Sequence, residues 1–236
     1  MNEQSTRAPR YIDVISVFFA VALVISGVVA TKIINFGSLG PLAIVADGGA
    51  VLFPFTYILG DVLTEVYGYR YARRTIWLGF AALIFSTAVF AVVGILPADA
   101  SYTNQEAYSA VLGMVPIVVV ASLTAFLCGE FMNSYILAKL KVRMAGRHMW
   151  FRLIGSTVVG EFFDTAIFCG IMAVGFGMTF GDFLGYFMFG WIFKTLVEVV
   201  MLPVTYRVIA TLKTREGFDA YDTNTRFTPL SISLTR

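Results

Sequence analysis

FPFTYILGDVLTEVYGYRYARR, residues 53–74, is the stretch from which the rest of the chain can be read. It opens apolar and aromatic, places Asp61 and Glu65 one helical turn apart on one face, and closes on Arg70, Arg73 and Arg74. A membrane helix with a functional face has this form. A carboxylate left in hydrocarbon at mid-bilayer costs roughly 2.5–3.5 kcal/mol on insertion scales, so both acids must face protein, water or a ligand.

The composition of the whole chain agrees. Over 236 residues, 58% are apolar and 14% charged, against a charged share of about 25% in soluble domains. The net charge of +2 is small, and the basic residues sit in the breaks between apolar runs rather than along a nucleic-acid face. Cys128 and Cys169 lie inside apolar runs and read as small core residues, with neither a disulfide framework nor metal-ligand spacing. The polar first ten residues, and the lack of a small-residue cleavage site after the first apolar run, make that run a retained helix.

A spanning helix needs about 20 mostly apolar residues. Six such runs appear, at 12–34, 43–66, 75–96, 111–137, 150–178 and 183–211. Lysine and arginine gather before the first (Arg7, Arg10), after the second, between the fourth and fifth (Lys139, Lys141, Arg143, Arg147, Arg152) and after the sixth (Lys213, Arg215). The intervening loops at 37–42, 97–110 and 179–182 have none. With six helices every basic cluster falls on one side, which the positive-inside rule makes cytoplasmic. The expectation is an all-α polytopic membrane protein with six transmembrane helices and both termini cytoplasmic. A transmembrane domain would occupy 1–212, and a polar cytoplasmic tail, expected to be disordered, 213–236.

Two basic residues break the pattern. Lys32 can snorkel to the outer interface, whereas Lys194 lies well inside the sixth run with Glu198 one turn later, so an internal ion pair is available. A weak echo joins three helices: Gly60-Asp61 then Thr64-Glu65, Gly129-Glu130 then Asn133-Ser134, and Gly160-Glu161 then Asp164-Thr165. Its glycines allow a backbone or a flat ligand to approach the carboxylates. Asp47 stands near the outer mouth. The inward candidates Asp61, Glu65, Glu130, Asn133, Glu161, Asp164, Lys194 and Glu198 carry far more acid than base, so some carboxylates should bind protons, water or a hydrogen-bond-donating substrate. Phe53, Phe55, Tyr57, Phe131, Phe162 and Phe163 flank these acids and offer faces for stacking. The combination suits a flat polar molecule with adjacent N–H donors. A guanine-like edge is one such molecule among many amines and heterocycles.

Enzyme classes fare poorly. His148, the one histidine, sits in the basic loop, and there is no GxSxG elbow, HExxH motif or Walker A loop. No cofactor and no metal is expected.

The 53–74 stretch resembles the signature of the queuosine precursor transporter family, also labelled vitamin uptake transporters. Weaker likenesses follow in GEFMNSYILAKLK from Gly129, GEFFDT from Gly160 and the segment 194–203. The resemblance implies import of 7-cyano-7-deazaguanine or 7-aminomethyl-7-deazaguanine for transfer RNA modification, through a multi-pass protein of the inner membrane. It points to Asp61, Glu130, Asn133, Glu161, Asp164, Lys194 and Glu198 as contacts, less firmly at Glu65, Glu161 and Glu198. Phe53 and Tyr57 complete the expected site. The partners implied are the small-molecule substrate and the lipid bilayer, with no direct contact to nucleic acid; a homodimer is compatible with the sequence, although no residue specifies it. Two mechanisms stay open: a secondary carrier, or a substrate-binding membrane subunit served by a separate energy-coupling ATPase module. For the latter the small-residue stripe Ala22, Ser26 and Ala30 would be a docking face.

Overall fold

The computed structural model describes residues 9–39, 42–113, 115–217, 219–223, 225 and 227–228. Helix α1 (Ile12–Val29) leads into an antiparallel hairpin of β1 (Ile33–Leu39) and β2 (Leu42–Asp47). A 3₁₀ turn (Gly48–Val51) then enters α2 (Phe53–Val62), which runs on as a π-helical turn (Leu63–Tyr67). After Gly68 come α3 (Tyr69–Ile95), the short α4 (Gln105–Leu112), α5 (Val115–Arg143), α6 (Met149–Phe176) and α7 (Phe180–Glu216). Five of these helices, α1, α3, α5, α6 and α7, are long and apolar enough to cross a membrane. Their outward faces carry Val17, Phe18, Phe85, Val93, Val174 and Val200, all exposed as lipid-facing side chains are. The chain is thus an all-α membrane protein apart from its one hairpin.

The second apolar run departs from expectation. Residues 43–66 form half a hairpin, a 3₁₀ turn and a short helix instead of one continuous span. The physical reason lies in the sequence on either side of the turn: IINFGSL and LAIVAD carry the β-branched Ile33, Ile34, Ile44 and Val45 and are punctuated by Gly37, Gly40 and Gly48, so they pair as strands with register Ile33↔Asp47 and Ser38↔Ala43. Apolar length alone cannot separate such strands from a helix. Gly68, at φ +88°, breaks the chain between the π turn and α3, a backbone state that L side chains rarely adopt. The helix after it begins at Tyr69, so Arg70, Arg73 and Arg74 lie in the first turns of α3 rather than in a loop.

Helices α5 and α6 cross at the two glycines of the sequence echo. A Cβ on Gly129 would lie 2.9 Å from the Gly160 carbonyl oxygen, and one on Gly160 would lie 2.9 Å from the Gly129 carbonyl oxygen. A Cβ on Gly60 would collide with the Glu130 carboxylate. All three glycines therefore bring helices together. The small stripe of α1 is also used internally: Ala22 is buried, and Ser26 packs against Gly49. Phe19, Phe80 and Phe126 form an aromatic core between α1, α3 and α5, with ring centroids 5.8–6.2 Å apart. Cys169 is buried and Cys128 half-buried, and both are free thiols.

The polar tail is ordered over its described residues, contrary to expectation. Asp222 accepts a hydrogen bond from the Tyr69 backbone N–H (2.9 Å), Ala220 N–H donates to the Val66 carbonyl (3.2 Å), and the Phe227 ring lies 5.0 Å from that of Tyr69. Polar composition hides such a strap, because its partners are equally polar groups at the helix ends. At the same end Glu216 accepts hydrogen bonds from the Arg10 and Tyr11 backbone N–H groups and from the Tyr67 hydroxyl (2.7–3.1 Å).

Overpacking a tight core typically costs about 1–3 kcal/mol. Gly129→Ala and Gly160→Ala should each destabilise the protein by that amount in unfolding titrations in mixed detergent micelles. Gly175→Ala, where a Cβ meets nothing within 4 Å, should be neutral or slightly stabilising.

Candidate functional site

The sequence-predicted residues separate into two clusters at different depths. Toward the end where the tail packs, Glu65 is fully buried and held by three cations. Arg152 donates to it from both terminal nitrogens (2.5 and 3.1 Å), Lys213 donates at 2.7 Å, and the Lys141 ammonium stands 3.6 Å from its Oε1. Lys141 also donates to the Glu65 backbone carbonyl and to Asp219, which Lys213 bonds as well (3.0 Å). Glu65 is an anchor between α2's π turn, α5, α6, α7 and the tail, and both its carboxylate oxygens accept hydrogen bonds there. Its three partners were read from the sequence as members of cytoplasmic basic clusters. A signal was available for Arg152, which falls inside the apolar run 150–178, and Lys141 stays on α5 through Arg143.

Deeper between the helices the balance is reversed. Asp61, Glu130, Glu161, Asp164 and Glu198 are all buried, and Lys194 pairs with Asp164 and Glu161 among them. Lys194 donates to Asp164 Oδ2 at 2.6 Å and stands 3.7 Å from Glu161 Oε2. The expected Lys194–Glu198 pair does not form: Glu198 instead accepts from the Thr157 hydroxyl at 2.6 Å, because α6 presents its own acids closer to the ammonium. Lys194 Nζ also lies 3.8 Å from the centroid of the Phe53 ring, a cation–π contact. Phe53 in turn packs on Tyr57, centroids 4.6 Å apart. Asn133 donates to Asp61 Oδ1 (2.8 Å), which ties α5 to α2.

Gly129 is where the walls meet. A Cβ there would lie 2.7 Å from Asp164 Cβ and 2.8 Å from the Tyr57 hydroxyl, so a glycine is required for α2 and α6 to bring these groups against α5. Glu130 lies within reach of the charges of Asp61, Glu198 and Asp164, and Glu161 within reach of Lys194, Asp164, Glu198 and Glu130. Asp47, half-buried where the hairpin enters the 3₁₀ turn, lies within electrostatic reach of Lys194.

Many oxygens in this cluster are uncommitted. The Tyr57 hydroxyl, Glu130 Oε2, Asn133 Oδ1, both Glu161 carboxylate oxygens, Glu198 Oε1, and the Thr165 and Thr195 hydroxyls are buried without a hydrogen-bond partner among the described residues. Each such group costs about 1–3 kcal/mol if it stays unsatisfied. Their concentration on α2, α5, α6 and α7 marks a place built to receive donors. Thr165 belongs to the sequence echo, whereas Thr195 gave no signal there, since threonines within apolar helices commonly bond their own backbone.

The aromatic wall is smaller than expected. Phe53 and Tyr57 border the cluster, but Phe55, Phe162 and Phe163 are exposed at 38–42%, and Phe131 packs on Trp77 (6.0 Å). Phe162 instead joins the buried Phe187 and the half-buried Trp191 where α6 meets α7.

A multi-pass helical membrane protein with a partly uncompensated acidic cluster sealed between its spans is the architecture of a membrane transporter. Residues 47–208 match the family described as "Putative vitamin uptake transporter", and the chain belongs to that family. The protein is also 31% identical, over 159 residues, to a Bacillus subtilis (strain 168) protein named "Probable queuosine precursor transporter"; the match covers 67% of this chain and 69% of that one. No solved structure matches it.

Removing one partner of a buried ion pair costs about 3–5 kcal/mol. Glu65→Ala, which strands Lys141 and Arg152, should therefore destabilise the detergent-solubilised protein by about that much. Glu65→Asp, a carboxylate on a shorter stem, should recover part of the loss. Equal stability of Glu65→Ala and the wild type in chemical unfolding would contradict the anchoring role.

Proposed function

We propose that this protein imports queuosine precursors, the 7-deazaguanines 7-cyano-7-deazaguanine and 7-aminomethyl-7-deazaguanine, across the inner membrane as a secondary carrier. The observation that carries this reading is the set of buried, unpartnered oxygens on Tyr57, Glu130, Asn133, Glu161 and Glu198 beside an aromatic ring. A deazaguanine presents the complement: a flat ring for Phe53, and adjacent N–H donors on its guanine edge that a carboxylate can accept in parallel. In this reading Asp164 and Glu161 accept that edge, and Glu130, Asp61 and Asn133 hold the opposite side of the ring. The name of the Bacillus subtilis relative and the family match support the same substrate class.

The topology in this proposal has six membrane crossings with both termini in the cytoplasm. Its support is geometric. The Arg10 N–H and Glu216 carboxylate bond at 3.0–3.1 Å, so the start of α1 and the end of α7 lie on one side, which requires an even number of crossings. Five long helices are an odd number, and the segment 53–67, with the hairpin before it, supplies the remaining crossing. The basic residues at that end make it the cytoplasmic one. Alternating access between the two sides would expose the cluster to each in turn. The internal burial of Ala22 and the packing of Ser26 on Gly49 favour the self-sufficient carrier over a subunit that docks a separate ATPase through that stripe.

The purified protein should bind both deazaguanines and guanine, and reject adenine, which lacks the paired N1–H and 2-amino donors. Loss of a charge-assisted hydrogen bond, worth about 1.5–3 kcal/mol, should weaken binding roughly 10- to 100-fold in Asp164→Ala and Glu161→Gln. Uptake into cells that lack precursor synthesis should collapse for Asp164→Ala at normal protein level. Unchanged uptake would remove Asp164 from the site. Proteoliposomes with and without a pH gradient test whether the chain transports unaided.

A further inference from the structure

We infer that Lys194 is a tethered stand-in for the substrate: in the closed, ligand-free protein its ammonium occupies the contacts that the substrate's donor edge takes over, and it allows the empty carrier to return across the membrane. This rests on the function proposed above and adds a role for one side chain within it.

The contacts are those of a ligand. The Lys194 ammonium sits over an aromatic face, 3.8 Å from the Phe53 centroid, and donates to Asp164 at 2.6 Å with Glu161 3.7 Å away. An aromatic ring and two carboxylates around a group of N–H donors are also what a guanine-type edge would meet here. The two occupants cannot both hold Phe53 and Asp164. The Lys194 stem is long and its residue partly exposed, while Glu161 is fully buried and Asp164 nearly so. The acids are fixed by helix packing at Gly129 and Gly160, and the ammonium is the element free to swing aside.

The other ion cluster supplies the contrast. Glu65 is matched by Lys141, Arg152 and Lys213, each bonded also to another group, and nothing in that arrangement is left to exchange. Around Lys194 a single cation serves more carboxylates than it can neutralise, and both Glu161 oxygens lack hydrogen bonds. With substrate bound, its donors satisfy these oxygens. Without substrate, only Lys194 keeps Asp164 and Glu161 in company during the return step. A carrier lacking the ammonium would need substrate on board to move in either direction.

The test separates net uptake from exchange. Wild-type protein and Lys194→Met are reconstituted in liposomes that are either empty or preloaded with unlabelled 7-cyano-7-deazaguanine, and entry of the labelled compound is followed. In Lys194→Met, net uptake into empty vesicles should fall about a hundredfold, the equivalent of about 2.7 kcal/mol and of the order of an uncompensated charge at mid-membrane. Exchange into loaded vesicles should fall at least about tenfold less than net uptake does. Lys194→Arg, which keeps a cation, should retain both activities. Equal loss of both in Lys194→Met, or retention of both, would overturn the inference. Lys194→Gln provides a second neutral variant, and failure of both neutral variants to fold would overturn it too, by making the lysine a structural ion-pair partner. Failure of wild-type protein to transport or exchange any deazaguanine would instead refute the proposed function.

Discussion

Ionised side chains surrounded by hydrocarbon must be kept in company, and this constraint organises the protein. The chain meets it in two ways. Near one end, Glu65 is saturated by Lys141, Arg152 and Lys213, and the result is an anchor. Between the helices, Asp61, Glu130, Glu161, Asp164 and Glu198 are buried while Lys194 pairs with only Asp164 and Glu161 of them, and the result is a site with acceptors to spare. The residue types are the same; the ratio of charge to counter-charge separates structure from function. A saturated cluster has a satisfied minimum to fall into, whereas an undersupplied one gains most when donors arrive from outside.

Close backbone approach makes the second cluster possible. Gly129 and Gly160 bring α5 and α6 together at the depth of the acids, and Gly60 leaves room for the Glu130 carboxylate against α2. Without side chains at these points, Tyr57, Asp164 and Asn133 can lie against one another from three different helices. Phe53 and Tyr57 then close one side as an aromatic wall. The sequence echo of glycine followed by acid is, in physical terms, a recurring solution to placing a carboxylate where two helices touch.

Much of this was legible in the sequence, and the omissions have physical causes. Apolar length and the placement of arginine and lysine indicated a helical membrane protein, and Asp61, Glu130, Asn133, Glu161, Asp164 and Glu198 are all buried, with the partly exposed Lys194 paired to Asp164 and Glu161. Composition could not distinguish the strand-forming Ile and Val of 33–47 from helix, since both bury the same apolar surface. Pairings were harder still. Lys194 prefers Asp164 on a neighbouring helix to Glu198 one turn away on its own, and Glu65 finds Arg152 87 positions on. Such choices depend on how helices rotate against each other, which periodicity within one helix does not encode. The tail was misread because polarity was taken as solvation, when Asp219 and Asp222 are complements to groups on the helix ends.

The anchor at Glu65 also carries a temporal consequence. Its partners leave the ribosome in the order Lys141, Arg152, Lys213, and Asp219 follows last. At about 5–20 residues per second, several seconds of synthesis separate Arg152 from Lys213. During that interval the base of the nascent bundle lacks two of the knot's five charged groups, so assembly of this face waits on α7 and the segment that carries Asp219.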